Sequence, residues 1–177
     1  MGNPNPENRS HFSSILPISV LTKPLNSDFR AFNVLEQGPG YFYVQPGFEV
    51  GIRISNINDA TLIHLVKEIA GVSVVTFLDL SENRKITNKG VSALTSLKNL
   101  TRLNLSSCGL NNRGLPYIAE LKNLEYLDLS YCNRITDEGV RYLREMTHLT
   151  FLDLLGTTKI TTAGLKRLRR EGLEIHK

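Results

Sequence analysis

The sequence predicts an α/β solenoid, a stack of strand–helix coils that follows an atypical N-terminal segment. Three observations point there. Of 27 leucines in 177 residues, only Leu16, Leu21, Leu25 and Leu35 fall in the first fifty, whereas six of the seven prolines lie at or before Pro46. A short strand-like block recurs as Ile52-Arg53-Ile54, Leu78-Asp79-Leu80, Leu103-Asn104-Leu105, Leu127-Asp128-Leu129, Leu152-Asp153-Leu154 and Leu173-Glu174-Ile175, with last residues 26, 25, 24, 25 and 21 positions apart. A helix-start block follows each of the first five, at Asn58, Thr87, Asn111, Thr136 and Thr161. Self-similarity at such a period is the mark of a repeat array.

Each unit has a physical reading. The strand block alternates with period two, so its apolar pair points one way and the residue between points the other. Asn and Thr are favoured helix N-caps. Apolar residues then recur at helical spacing, as in Leu62, Leu65 and Ile69, or Val91, Leu94 and Leu97. One strand and one helix cannot bury both apolar faces alone, but stacked coils share one core. Gly90, Gly114, Gly139 and Gly164 cost helix propensity in the first helical turn, so their recurrence predicts a close approach of neighbouring coils there.

Residues 50–177 are therefore read as five strand–helix units plus a final short strand. Residues 30–49 are read as an N-terminal cap. Phe32, Val34, Tyr41, Phe42, Tyr43 and Phe48 form two strand-like runs about Gly38-Pro39-Gly40, which suits a β-hairpin laid over the first coil. Residues 1–29 are read as an extended or disordered arm.

The composition, 41% hydrophobic and 21% charged, is that of a globular protein. Two cysteines cannot form a disulfide framework, so burial must hold the fold. Reduced thiols suit a cytoplasmic location. No apolar run approaches the ~20 residues of a membrane helix, and Ile15–Leu21, broken by Pro17, is too short for a signal peptide. The net charge of +4 is concentrated in residues 156–177, which hold six basic and two acidic residues.

These blocks resemble the leucine-rich repeat family, in its variant with a helix on the outer side and a Thr-Asp-x-Gly-Leu/Val signature. The stretch Leu127-Asp128-Leu129-Ser130-Tyr131-Cys132-Asn133-Arg134-Ile135-Thr136-Asp137-Glu138-Gly139-Val140 is similar to the cysteine-containing, ribonuclease-inhibitor-like subclass, which is common in F-box proteins and resembles many bacterial repeats. The resemblance implies a right-handed solenoid, with a parallel sheet on the concave side and helices on the convex side, and protein binding as the usual activity. Two departures stand out: Glu49 replaces the leucine that opens the first motif, and residues 1–50 lack the apolar helical pattern of an F-box. The ubiquitin-ligase role is therefore not carried over.

On the concave face, the residues flanking the leucines form stripes about 4.8 Å apart from strand to strand. Phe77, Arg102, Tyr126 and Phe151 share one stripe, and Asp79, Asn104, Asp128, Asp153 and Glu174 the next. The expectation is a groove for a protein or peptide carrying basic and apolar groups, since aromatic residues and arginine anchor interfaces and carboxylates orient a partner. The competing reading is that these carboxylates and aromatics serve the sheet itself. A second class of function is a structural or adaptor scaffold working through the ends or convex face, including a substrate adaptor as in F-box relatives. A third is anion or nucleic-acid binding by Lys166, Arg167, Arg169 and Arg170 on the last helix, although no aromatics interleave with these charges. Nucleic acid is the less favoured partner. No acid–base, nucleophile, phosphate-loop or metal-ligand pattern forms, so neither catalysis, cofactor nor metal is expected. A monomer is expected, with dimerisation through the C-terminal strand edge as the alternative.

Overall fold

The computed structural model describes residues 10–28 and 31–177. Residues 1–9, part of the expected arm, lie outside the described residues. Among the described residues, ten strands run in chain order: Ser10–Ser14 (β1), Ser19–Pro24 (β2), Asn33–Gln37 (β3), Gly40–Val44 (β4), Phe48–Arg53 (β5), Val75–Asp79 (β6), Arg102–Asn104 (β7), Tyr126–Asp128 (β8), Phe151–Asp153 (β9) and Glu174–His176 (β10). Five helices alternate with β5–β10: Asp59–Ile69 (α1), Asn88–Ala93 (α2), Leu115–Ala119 (α3), Asp137–Val140 (α4) and Thr162–Leu168 (α5). Strands β5 to β10 are parallel neighbours in one sheet, and β2 and then β3 extend it antiparallel beyond β5. The fold is the expected α/β solenoid, with the sheet on one side and helices on the other.

The repeat core is built by the inward residue of every block. Leu78, Leu103, Leu127 and Leu152 occupy one register row and are fully buried. Each such burial contributes about 2 kcal/mol. The polar position closing each strand serves the preceding coil. Asn83 is 2% exposed; its Nδ2 donates to the carbonyls of Ile54 (2.8 Å) and Leu80 (2.9 Å), and its Oδ1 accepts from the Ile57 amide at 2.9 Å. Cys108 and Cys132 hold the same place in the next coils, their thiols donating to Leu80 O at 3.1 Å and Leu105 O at 3.2 Å. Both are free and buried, and burial pushes each thiol up to about 12.

A second ladder joins the helix starts and accounts for the glycines. Asp59 accepts from the Thr87 amide (2.7 Å), the Thr87 hydroxyl (2.6 Å) and the Gly90 amide (3.0 Å). Asn88 does the same work for Asn111, Asn112 for Thr136, and Asp137 for Thr161. A Cβ on Gly90 would sit 2.5 Å from Asp59 Oδ1, and one on Gly164 would collide with Asp137 Oδ1. The missing side chain is what lets the carboxylate reach the next N-cap.

The Thr161 hydroxyl and amide hold the Asp137 carboxyl below its ordinary value. A depressed carboxylate contributes stability above its unfolded pKa and loses it as pH falls through the folded one. Acidification through and below the carboxylate range is therefore expected to lower the melting temperature. Asp137→Asn should flatten that fall, since Asn112 shows that an amide can fill this place. Thermal melts from neutral to acid pH check this.

The N-terminal segment departs from the expectation. Over its described part, the supposed arm is built into the fold. β2 pairs along its whole length with β5, Val20 against Ile52 and Leu21 against Gly51. The strands either side of Gly38-Pro39 do not pair with each other: β3 pairs with β2, and β4 with β1. The hairpin-like pair of the cap is thus β2–β3. The reason is that the first coil has two layers to cover. β2 and β3 continue the sheet layer, while the β1–β4 ribbon lies on α1, where the Ser14 hydroxyl (2.6 Å) and the Ile15 amide (3.1 Å) both donate to the Glu68 carboxylate. Phe12 and Phe42 pack at 5.2 Å between ring centroids and fill the space between ribbon and core.

Glu49, the residue out of place in the repeat pattern, has its partner in this cap. Lys23 is 2% exposed, and its Nζ lies 2.9 Å from Glu49 Oε1 and 3.3 Å from Ser27 O. The second Glu49 oxygen accepts from the Thr76 hydroxyl. A buried ammonium needs such compensation.

Candidate functional site on the sheet face

The sheet presents its outward residues in two register rows. The first runs Gly51, Phe77, Arg102, Tyr126, Phe151, Glu174; the second runs Arg53, Asp79, Asn104, Asp128, Asp153, His176. The last strand corrects the expected stripe: β10 pairs Ile175, not Leu173, with Leu152, so Glu174 stands beside Phe151 and His176 beside Asp153.

The aromatic residues of the first row are half-buried. Tyr126 and Phe151 are stacked, 4.9 Å between centroids with rings at 1°. Phe77 packs instead on Phe32 of the cap, 5.1 Å away. Arg102 stands in register between Phe77 and Tyr126. Burial, and then the carboxylates of Asp128 and Asp153, push the Tyr126 phenol up to about 12, so it is a neutral hydrogen-bonding group.

The second row is less acidic than its residue types suggest. Asp79 is only 4% exposed and is paired with Arg53, whose Nε lies 2.7 Å away. Asp153 is paired with His176, Oδ2 to Nδ1 at 2.9 Å, and that hydrogen bond raises the imidazole above its ordinary value. Each of Asp79, Asn104, Asp128 and Asp153 also accepts a hydrogen bond from the backbone amide two residues on, at 2.8–3.1 Å. These side chains thus terminate the strands, a local role that any Asx residue can fill. Asp128 is half-buried in mid-row, and burial raises its carboxyl above the ordinary value.

Two hollows follow from this arrangement. One of about 280 Å³ lies where the cap meets the repeats, between Leu21, Phe32 and Val34 on one side and Phe77, Arg102 and Tyr126 on the other. Arg53, Asp79 and Asn104 complete its lining. The second, about 260 Å³, lies along the stacked pair Tyr126–Phe151 with Arg102, Glu125 and Glu174 at its margin. Sequence reasoning missed Phe32 and Val34 as groove residues, because their place depends on the long-range pairing of β2 with β5. Glu125 was missed as well; it precedes the strand block and had no pattern to mark it.

The basic cluster is divided. α5 ends at Leu168, so only Lys166 and Arg167 lie on it. Arg170 turns back, donating from Nη2 to Met146 O and to Leu149 O at 2.9 Å, while Arg169 follows the helix and lines a hollow between α5 and β10 with Lys177. Among the described residues, no group of three His, Cys, Asp or Glu is placed to hold a metal, and no helix is long and apolar enough to cross a membrane.

The recurring coil, its Leu-x-Leu strand and its closing Asn or Cys define a class, and the chain belongs to the leucine-rich repeat family. The description "Leucine Rich repeats (2 copies)" matches residues 98–140 and 122–167, and "Leucine Rich repeat" matches residues 73–94. No curated protein matches the sequence. Among solved structures, the chain is similar to one in the complex of Rad7 and Elc1 from yeast, at 22% identity over 71% of this chain and 31% of that one, with a TM-score of 0.58. It is also similar to internalin C2 of Listeria monocytogenes, at 31% identity over 62% of this chain and 44% of that one, with a TM-score of 0.46. The chain thus spans less than half the length of either. Leucine-rich repeats are in general modules of protein–protein interaction.

Proposed function

We propose that this protein is a non-catalytic recognition module that binds a protein or peptide partner on its sheet face, through Phe77, Arg102, Tyr126 and Phe151. The observation that carries the reading is the run of half-exposed aromatic side chains opening onto the groove between the cap and β6–β8. Large apolar groups left partly in solvent along a concave face are suited to anchor a partner. Asp79 serves the fold through Arg53, so the partner-facing set is narrower than the full row of carboxylates. Two features support a binding rather than a catalytic role. Both thiols are buried and held protonated. His176 is exposed at the sheet edge, with only a strand-ending aspartate as partner.

The test is affinity capture from the native cell with wild type and a Phe77→Ser/Tyr126→Ser/Phe151→Ser variant. Partners captured by the wild type should be depleted at least tenfold, since each anchor of this kind contributes about 1–3 kcal/mol. If the folded variant retains every partner, the sheet face is not the binding surface.

A further inference from the structure

The cap end of the sheet is apolar and almost without charge. Among the described residues, seven of the ten large apolar side chains left exposed lie between Ile15 and Phe48. Residues 10–22 and 31–48 hold a single Asp, Glu, Lys or Arg, namely Glu36, in a chain that is 21% charged. β3 is the outermost strand of the sheet, and all five of its residues are exposed. Edge strands are ordinarily blunted by lysine, proline or a bulge. β3 has neither lysine nor proline, and its bulge serves a different end. Val20 and Leu21 pair with Glu36 and Val34, so Leu35 is the extra residue. It lines a hollow of about 230 Å³ with Thr22, Tyr43 and Phe48, an example of a bulge re-aiming a side chain. Tyr41 and Tyr43 share the outward face of β4, and together leave on the order of 300 Å² of aromatic surface in solvent.

We propose that two copies of the chain meet at this end, β3 pairing antiparallel with β3 of the second copy about a two-fold axis. A strand edge is its own complement when reversed, and a two-fold axis supplies that reversal. The axis sets Leu35, Tyr43 and Phe48 against the same residues of the second copy, which closes both hollows. The charge distribution selects this occupant. An apolar patch without net charge fits its own image, whereas a charged one repels it. Residues 156–177 carry the whole net charge of +4. Their strand, β10, is the opposite edge of the eight-stranded sheet, seven strand spacings or about 34 Å from β3. Cap-to-cap association therefore keeps the two basic ends more than about 60 Å apart, far beyond the ~8 Å screening length of physiological salt. Pairing through β10 would instead bring those ends together. A head-to-tail stack would set a basic end against a cap with only Glu36 to meet it. In the cap-to-cap dimer the two sheets become one, with both sheet faces on the same side.

Sedimentation velocity of the full chain at rising concentration tests this. The expected species is a dimer of twice 19.8 kDa. Its dissociation constant should change less than about twofold between low and high salt, because no ion pair crosses the contact. Leu35→Lys sets two ammonium groups near the axis and should weaken the dimer at least roughly tenfold. Tyr43→Ser removes an exposed ring and should weaken it roughly tenfold. Arg169→Glu, at the opposite end, should leave it unchanged. Circular dichroism matched to wild type shows that the variants are folded. A reading on the wild type alone is amide exchange, which should slow over residues 33–37 as concentration rises through the dissociation constant. A monomer at every concentration up to roughly 100 μM overturns the proposal and leaves the patch to a different partner. A dimer indifferent to both cap variants, one lost with Arg169→Glu, or one that forms without slowing exchange over residues 33–37 places the contact elsewhere and overturns it. Species that grow beyond the dimer mean a head-to-tail array and overturn it as well.

Discussion

Replacing Asn83 by leucine is expected to destabilise the protein by about 3–5 kcal/mol, although the two side chains have the same branched heavy-atom skeleton. The loss is one of hydrogen bonds. The Ile57 amide loses its acceptor, and the Ile54 and Leu80 carbonyls lose a donor, in a site with almost no access to water. Each buried polar group left unpaired costs about 1–3 kcal/mol. Asn83→Cys should lose about half as much, because a thiol at this place can still donate to the preceding coil, as Cys108 does to Leu80 O. Chemical denaturation of the two variants beside wild type measures the difference. Equal losses would mean that a thiol here replaces none of the lost hydrogen bonding.

The second large effect belongs to the cap. Lys23→Ala is expected to cost about 3 kcal/mol, at the lower end for breaking a buried pair because Glu49 retains some contact with solvent. The paired change Lys23→Met/Glu49→Leu should recover most of that loss, since two apolar groups of similar size need no compensation. Failure of the double variant to recover would show that the ammonium acts through its other contacts. These include Phe32, whose ring lies 5.6 Å from Nζ and in turn packs on Phe77. Lys23→Ala should therefore also loosen the cap-side wall of the groove.

The repeats were legible because each coil states its own structure. The apolar pair gives the strand and its inward face, the Asn or Thr gives the cap, and four repetitions remove the ambiguity of any one. The last strand shows where that logic stops. A slip of one residue turns the side chains inside out, but a slip of two leaves the alternation intact. The pattern Leu173-Glu174-Ile175 therefore could not reveal that Ile175, and not Leu173, pairs with Leu152. The cap was hidden for a different reason. Ser19–Pro24 does not alternate cleanly, since the neighbours Val20 and Leu21 are both buried, and its partner lies some thirty residues on and runs the other way. No local signal marks that pairing. Phe77, Tyr126 and Phe151 were placed on the sheet face by period alone, but the neutralisation of Asp79 needed Arg53 on the adjacent strand.

The ladder at the helix starts makes the coils replaceable parts with matched fittings. Asp59 and Asp137 each meet a threonine that donates its hydroxyl, whereas Asn88 and Asn112 each give their amide to an acceptor oxygen, of Asn111 and Thr136. A coil carries one half of the joint at its N-cap and glycine, and the other half one residue after the cap. Gain or loss of a whole coil is thus tolerated only when the new neighbours present a donor against an acceptor and a glycine against a reaching side chain. Such an array can change its length, and with it the span of its groove, while the chemistry of every seam stays the same.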